Sequence, residues 1–328
     1  MANIKQVAAY AGLSPACVSK YLKNPKSVRA DSKQRIEQAI RALNYTPSPI
    51  ARSLRSRRTN CIMVIQRSIV TPFYHTLFDN IRLNLERHGY TAILQICDGS
   101  VPPPSAFLQV DGVIMVLQDK QNALQIYSKI PEDTPVVMYS PEKLITNVPT
   151  ITIDLSATTL EMCRYLCSVG CRTFAYFGRS PYDIATKLRL AAFRSFFEDK
   201  PQCLKEEHVL LGTHSHGSDF QTGNKLAGQL VSQGNLPDAV FCENDLIAIG
   251  CATGLMYHGV IPSRDILVSG ADNIPWIAEF EPKLITQEYD ALPDLLCDEL
   301  YNALKDQPTN DHELHPSIVD WRKSPQSK

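Results

Sequence analysis

The stretch "GLSPACVSKYLKN" near the start of the chain carries side chains suited to reading a nucleic acid. Ser19 and Lys20 can hydrogen-bond to base edges or phosphates, whereas Pro15 and Ala16 offer shape and apolar contact, for example to a thymine methyl. On a helix that begins after Ser14, these four positions lie on the outward side. We therefore predict that the capping residue and this side of the helix contact DNA.

A helix-turn-helix accounts for the presentation of these residues. Apolar residues recur at helical spacing in the first helix, at Ile4, Val7, Ala8 and Ala11. Gly12 is suited to end this helix, and Ser14 and Pro15 are suited to begin the next. A third helix is predicted over 31–43, and in such a motif the second helix enters the major groove. The alternative is a basic three-helix domain that binds protein.

Charge is distributed unevenly along the chain. Residues 1–60 contain 12 Lys and Arg against two Asp and Glu, out of totals of 33 and 34, so the remainder has 21 basic residues against 32 acidic ones. A basic end on an acidic body is typical of a protein that binds a polyanion. We expect four polar residues of the head to contact the DNA backbone, which positions the protein without reading sequence: Ser27, Arg29, Ser32 and Lys33.

The composition is that of a globular protein. The chain has 328 residues, with 44 % apolar and 20 % charged residues, which suits two or three domains. The start lacks the apolar run of a secretory signal, and no run approaches the length of a membrane span. Ten cysteines without such a signal are typical of reduced thiols. We therefore expect a cytoplasmic protein with no membrane association.

Several weaker patterns are consistent with ordinary structure. Cys163, Cys167 and Cys171 are spaced by four, which predicts one helical face of small buried residues. The segment "DHELH" (311–315) is predicted to be a polar loop. No GxGxxG, Walker A or GxSxG motif occurs, so we assign no catalytic residue, no metal site and no cofactor.

The head resembles the LacI/GalR family of bacterial transcription regulators. The family's head pattern reads here as "VAAYAGLSPACVSKYLKN", followed by the linker pattern "NYTPSPIARSLRS". Later motifs extend the resemblance over nearly the whole chain, namely "VDGVI", "FCENDLIAIG" and "ILVSGADN". The resemblance implies a DNA-binding domain at 1–46, a hinge-helix linker at 47–60 and a two-lobed ligand-binding and dimerisation domain at 61–328.

The linker resembles a short helix that orders when two copies pair over operator DNA. Leu54 matches the leucine that wedges into the minor groove, and Ala51 matches its small neighbour. Arg52 and Arg55 would then lie near phosphates. A helix this short is marginal alone in water, so a basic tether without a role in DNA binding is the alternative.

From Cys61 onward, short apolar strands alternate with helical patterns, which implies parallel sheets flanked by helices. The resemblance implies two such α/β lobes, like those of periplasmic sugar-binding proteins, with a ligand cleft between them. The fold class is therefore an all-α helix-turn-helix head plus an α/β body. We predict the lobe boundary near 153–160 and a return crossing near 285–292.

The predicted effector site lies where the strands end, since ligands of such folds bind at the carboxyl ends of strands. Arg189 matches the family arginine that faces ligand oxygens, and its guanidinium suits vicinal hydroxyls. Asp272 can accept hydroxyl protons, and Phe73 can stack on a pyranose. The remaining candidates are Tyr139, Ser140, Asn244, His214 and Tyr289. The alternatives are a core position for Phe73 and a cap of the following helix for Asn244.

Two departures from the family pattern affect the prediction. Ser140 stands where sugar-binding members often have an acid, which leaves the class of ligand open. The segment "VPPPSAFLQ" replaces a full helix, since three prolines cannot continue a helix interior. One helix of the first lobe is therefore expected to be short or absent.

Together these observations predict a homodimeric repressor that binds operator DNA and whose affinity for DNA is set by a small effector, expected to be a sugar or sugar derivative. A helix-turn-helix reads paired half-sites through two-fold symmetry, hence the dimer. Three alternatives remain: a corepressor-type regulator that responds to a nucleobase or another metabolite, an enzyme with an appended DNA-binding head, and an architectural DNA-binding protein that needs no ligand.

Overall fold

The chain divides into two units between Asn60 and Cys61 in the computed structural model. The structure describes residues 2–45, 58–68, 71–97, 99–213 and 218–323. Each unit has its own buried core. The helical first unit and the α/β second unit confirm the predicted fold class.

The first unit is built from three helices and a 3₁₀ turn, namely α1 (Ile4–Ala11), α2 (Pro15–Lys23), Pro25–Ser27 and α3 (Ala30–Ala42). Gly12 ends α1 with a φ of 63°, a left-handed conformation that glycine adopts without strain. Ser14 caps α2, since its hydroxyl accepts a hydrogen bond from the Cys17 amide at 3.2 Å. The core contains Val7, Ala8, Ala11, Val18, Ile36 and Ala39.

The described part of the second unit contains two six-stranded sheets. The first sheet contains β1 (Cys61–Gln66), β2 (Thr91–Ile96), β3 (Gly112–Val116), β4 (Val136–Ser140), β5 (Thr150–Thr152) and β11 (His312–Glu313), in the order β11-β5-β4-β3-β1-β2. The second contains β6 (Phe174–Gly178), β7 (Leu204–Leu211), β8 (Ala239–Cys242), β9 (Leu267–Ser269), β10 (Ile285–Glu288) and β12 (Ser317–Asp320), in the order β12-β10-β9-β8-β6-β7. Among these strands only β12 pairs antiparallel, with β10.

Helices cover both faces of each sheet, as continuous apolar strands such as β3 and β6 require. They are α4 (Pro72–Arg87), α5 (Pro104–Phe107), α6 (Lys120–Tyr127), α7 (Leu155–Ser168), α8 (Ile184–Phe197), α9 (Asp219–Ser232), α10 (Asp245–Tyr257) and α11 (Leu292–Leu304). Ile81 and Leu85 of α4 share a core with Ile62 and Val64 of β1. Each sheet with its helices forms one lobe.

The chain passes between the lobes three times. It leaves the first sheet after β5, which ends at Thr152, and returns after β10, which ends at Glu288. It then contributes β11 to the first sheet and β12 to the second, so a third crossing lies between Glu313 and Ser317. The sequence analysis did not predict this third crossing.

Two structural expectations were wrong, the first of them in part. The segment "DHELH" is a loop only outside His312 and Glu313, because these two residues form β11, which pairs in parallel with β5. The three spaced cysteines do not share one buried helical face: α7 ends at Ser168, so Cys171 lies beyond it, and Cys167 is exposed. The segment after β2, where three prolines predicted a shortened helix, contains the four-residue α5.

Candidate functional site

The outward side of α2 presents the residues predicted to contact bases. Pro15, Ala16 and Lys20 are exposed, and Ser19 is partly exposed. Val18 is buried in the core of the head, so the outward and inward sides are clearly separated. This arrangement leaves the outward side of α2 open to a groove, and its contacts with bases remain a prediction.

The four residues predicted to contact the DNA backbone differ in their exposure and in the contacts they already make. Arg29 is exposed, and Lys33 is exposed with its Nζ 3.9 Å from Glu37. The Ser27 hydroxyl donates to the Asn24 carbonyl at 2.6 Å, which occupies its proton but leaves its oxygen able to accept. Ser32 is partly exposed. The exposed cations are therefore the side chains best placed to reach phosphates.

The predictions for the linker fall on residues that the structure does not describe. They concern Ala51, Arg52, Leu54 and Arg55, and the same is true of His214 in the second unit. Their proposed roles remain predictions.

A cleft of about 490 Å³ lies between the two lobes of the second unit, where the strands of both sheets end. Six of the predicted effector residues line it: Phe73, Tyr139, Arg189, Asn244, Asp272 and Tyr289. Ser140 does not line it, because this residue is fully buried and its hydroxyl donates to the Glu142 carbonyl. Ser140 is therefore not brought to the cleft.

Aromatic rings form the side of the cleft that belongs to the first lobe. The Phe73 ring centroid lies 5.3 Å from that of Tyr74 and 6.2 Å from that of Tyr139. Tyr289, which follows β10, meets Phe73 edge-on at 6.3 Å. Burial raises the pKa of Tyr74 and of Tyr289 to about 12, so both hydroxyls keep their protons at neutral pH. These rings offer flat apolar surface with hydrogen-bonding groups at its edge.

Arg179 organises the charged side of the cleft, which belongs to the second lobe. Its Nη2 donates to Asp219 Oδ2 at 2.7 Å, and its Nη1 lies 3.7 Å from Asp183 Oδ2. Its backbone amide donates to Glu243 Oε2 at 2.9 Å, an oxygen that also accepts the Thr186 hydroxyl. Burial opposes the charged form of Arg179, but Asp219 and Glu243 outweigh it and raise its pKa. The network holds three carboxylates at one wall.

Arg189 projects from α8 into the cleft and is 7 % exposed. Its buried Nε has no hydrogen-bond partner among the described residues. Burial works against its charged form, but Tyr289, Glu243 and Asp272 outweigh that effect and raise its pKa. A buried donor without a partner is costly, so this atom is suited to a ligand oxygen.

Asp272 follows β9 with a φ of 104°, a conformation that a residue with a side chain rarely adopts. Its backbone amide donates a hydrogen bond to the Gln287 carbonyl at 2.9 Å. Burial raises the pKa of Asp272 to about 7, although Arg189 and Arg179 oppose the rise. The strained backbone directs the Asp272 carboxyl group into the cleft. At neutral pH this group is partly protonated.

Five charged residues of the cleft were missed by the sequence analysis: Arg67, Arg179, Asp183, Asp219 and Glu243. Asp183 caps α8, and an acid at the start of a predicted helix was a signal that could have found it. Glu243 directly follows β8. The expectation that ligands bind at the carboxyl ends of strands, which identified Asn244, therefore applied to Glu243 as well. Among the described residues, no group of three or more His, Cys, Asp or Glu is arranged to hold a metal ion.

Family models match both units. A model of bacterial regulatory proteins of the lacI family matches residues 3–48, and a periplasmic binding protein-like domain matches residues 163–324. The HTH-type transcriptional repressor PurR of Photorhabdus laumondii is 28 % identical over 340 residues, covering 98 % of this chain and 96 % of the relative. The HTH-type transcriptional repressor CytR of Escherichia coli is 26 % identical, covering 87 % of this chain and 84 % of the relative.

Solved structures share the fold. A lac repressor dimer bound to operator and the anti-inducer ONPF has a TM-score of 0.77 at 20 % identity, covering 98 % of this chain and 99 % of the other. A LacI family regulator from Lactobacillus casei with bound sucrose has a TM-score of 0.66 at 23 % identity, covering 79 % of this chain and 98 % of the other. In the described part of this chain, no helix has the length and apolar character needed to cross a bilayer.

Proposed function

The chain belongs to the LacI family of bacterial regulatory proteins, which bind DNA and control transcription, and we propose that it represses its target genes in the cytoplasm as a homodimer. The effector of this repressor is a small, hydroxyl-rich molecule, a sugar or sugar derivative, bound in the cleft between the lobes. Its occupancy sets the affinity of the head for operator DNA.

The observation that carries this proposal is a set of buried polar atoms without partners on residues that line one cleft. Four such atoms are buried and lack hydrogen-bond partners within the described residues: Thr71 Oγ1, Arg179 Nε, Arg189 Nε and the Tyr289 hydroxyl. Native proteins leave few such atoms, because each costs about 1–3 kcal/mol. Four in one cavity favour a ligand that supplies the missing hydrogen bonds.

The chemistry of the two walls supports a sugar. A pyranose presents an apolar face, suited to the ring of Phe73, and hydroxyls around its edge that can both donate and accept. Arg189 can donate to those oxygens, and Asp272 can accept their protons. The sucrose bound by the Lactobacillus casei regulator gives the same class of ligand in a protein of the same fold.

Coupling to DNA follows from the two-lobed design. A ligand that contacts both walls favours the closed arrangement of the lobes by its differential affinity for that arrangement. In a dimer, closure changes the separation of the two heads and therefore their match to paired half-sites. DNA and effector must alter each other's affinity by the same factor, whichever its sign.

The test uses the full-length protein and an operator selected from random-sequence DNA. Its affinity for that DNA is measured with and without a panel of sugars, sugar derivatives and nucleobases. We expect at least one sugar to change the affinity at least fivefold. Arg189→Ala should bind the operator as the wild type does but lose that response, whereas Arg194→Ala, an exposed arginine on the same helix, should keep it.

Three results would contradict the proposal. One is an Arg189→Ala variant that still responds to the effector. Another is a nucleobase as the sole responding compound, which would leave the repressor but replace the sugar. Turnover of a sugar by the purified protein would instead favour the enzyme with an appended DNA-binding head.

A further inference from the structure

A small recess of about 70 Å³ opens beside the cleft at the end where the aromatic rings meet Asp272. Phe73, Asp272 and Tyr289 line both the cleft and this recess, so a ligand in the cleft can extend into it. A buried water needs about 10–15 Å³ of such space. The recess therefore has room for one small substituent of the ligand.

The recess is acidic and contains no compensating base. Asp272 and Asp290 line it, and among the described residues that line it none is Lys, Arg or His. Asn273 adds an amide that already donates to Glu288 Oε2 at 3.0 Å. Burial and the adjacent Asp290 raise the pKa of Glu288, which shows that negative charge is crowded at this end.

The cleft beyond the recess contains more acids than bases. Four carboxylates line the cleft against three guanidinium groups. Arg179 is already paired with Asp219 at 2.7 Å, so Arg189 is the buried cation that remains. Behind Asp272 lies the fully buried Asp245, whose carboxylate accepts hydrogen bonds from the Thr286 hydroxyl and the Ile274 amide.

Side chains cap most of the helix N-termini near the cleft. Helices α8, α9 and α10 begin there, and each N-terminus carries a partial positive charge that favours an acid. Asp183 caps α8, Ser218 caps α9 and Asn244 caps α10. Asp272 and Asp290 cap none of these helices. At the recess, α4 and α11 begin without a side-chain cap, and Asp290 lies just before α11, so the N-terminus of α11 offsets part of the charge of Asp290. The side chains that line the recess still include two acids and, among the described residues, no base.

The aromatic residues give the recess a second preference for positive charge. Ring faces attract cations, and the combination of rings with carboxylates recognises ammonium groups. Phe73 and Tyr289 meet edge-on at 6.3 Å beside Asp272. A cation placed there would meet ring surface on one side and carboxylate on the other.

We propose that the effector carries a protonated amine as well as hydroxyls, and that the recess between Phe73, Tyr289, Asp272 and Asp290 binds that amine. This inference rests on the proposed role of the cleft as the effector site. It narrows the effector to an amino sugar or another aminated polyol. Arg189 then serves the hydroxyl end of the same molecule.

The test compares probes that differ in the amine alone, by calorimetric titration of the full-length protein at constant ionic strength. The pairs are glucosamine with glucose, galactosamine with galactose, and tris(hydroxymethyl)aminomethane with pentaerythritol. At least one amine should bind about tenfold or more tightly than its neutral mate, as a charge-assisted contact in a partly buried site implies. Asp290→Asn should reduce that ratio towards one, while Asp298→Asn, an exposed acid on α11, should leave it unchanged.

The inference is overturned if no amine binds more tightly than its mate, including the case in which none binds, or if Asp290→Asn keeps the full preference. The proposed function fails separately. If a neutral sugar changes operator affinity and no amine is preferred, the proposed repressor function stands and the proposed amine site is rejected. If an amine binds but does not change operator affinity, the proposed amine site stands and the proposed regulatory role of the cleft is rejected.

Discussion

Asn244 and Asp219 tie the beginnings of two helices together at the cleft. The Asn244 Nδ2 donates to Asp219 Oδ2 at 2.7 Å, while its Oδ1 accepts the Ile247 amide at 2.9 Å and caps α10. Arg179 donates to the same Asp219 oxygen. One carboxylate at the start of α9 therefore positions a cap and a cation that both line the cleft.

Replacing Asp219 by Asn should weaken this wall. The change removes the charge opposite Arg179 and a favourable negative charge at a helix N-terminus. We expect the free energy of unfolding to fall by about 1–2 kcal/mol, since a partly buried cation loses its closest carboxylate. Effector affinity should fall as well, because Arg179 and Asn244 lose their common anchor. Chemical denaturation and calorimetric titration measure the two effects.

Glu206→Gln is the matched control for that variant. Arg194 and Glu206 are also 2.7 Å apart, but their side chains are 48 % and 72 % exposed. An exposed pair contributes little, so the free energy of unfolding should change by less than about 0.5 kcal/mol. Equal losses in the two variants would show that Asp219 acts as an ordinary surface acid.

Stability should depend on pH through Asp272. Burial raises its folded-state pKa to about 7, whereas an unfolded aspartate has a pKa of about 3.9. Between these values the folded state binds more protons, so the contribution of Asp272 to stability falls as pH rises and levels off above pH 7. Relative to Asp272→Asn, the wild type should lose up to about 1.4 kcal/mol per pH unit over that window.

Denaturation of both proteins at pH 5, 6, 7 and 8 provides the comparison. Burial also raises the pKa values of Glu243 and Asp245, and Asp272 adds to the rise at Asp245. The difference between the two proteins therefore reports Asp272 together with its coupling to these neighbouring acids. A difference that does not change with pH would place the Asp272 carboxylate in contact with water.

The expectation that ligands bind at the carboxyl ends of strands located the cleft but missed most of its charged residues. Tyr139, Asn244 and Asp272 lie at or just after strand ends, which is why this rule predicted them, whereas Phe73 lies in the first turn of α4. Ser140 failed because successive strand residues point to opposite faces, so Tyr139 and Ser140 cannot both meet the cleft. That alternation was already implied by the strand itself.

Other features depended on contacts that are distant in sequence. Asp219 lies 40 residues from Arg179, and no local pattern shows that these side chains meet. The strand β11 has two residues, and its pairing with β5 bridges 160 positions, so its polar residues indicated a loop. The head was easier to predict, because Gly12, Ser14 and the helical spacing act within a few residues of one another.

Gly12→Ala should loosen the head and leave the second unit unchanged. Alanine at a φ of 63° is strained by about 1–2 kcal/mol, and its Cβ would clash with the Arg35 guanidinium, which would have to move. Amides of α1 and α2 should therefore exchange with solvent about 5–30 times faster. Gly89→Ala carries similar backbone strain, with no atom within 4 Å, and should alter exchange at the end of α4 alone.

Arg29→Ala should weaken binding to all DNA sequences by a similar factor. Arg29 is exposed, and a phosphate contact releases counterions without reading bases. In a dimer two such contacts are lost, so the slope of log affinity against log salt should become less negative by about 2. Filter binding or fluorescence anisotropy at several salt concentrations, with selected and with random DNA, measures this slope. Arg264→Ala, an exposed arginine of the second unit bound to Asp265, should leave it unchanged. Loss confined to the selected sequence would instead make Arg29 a reader of bases.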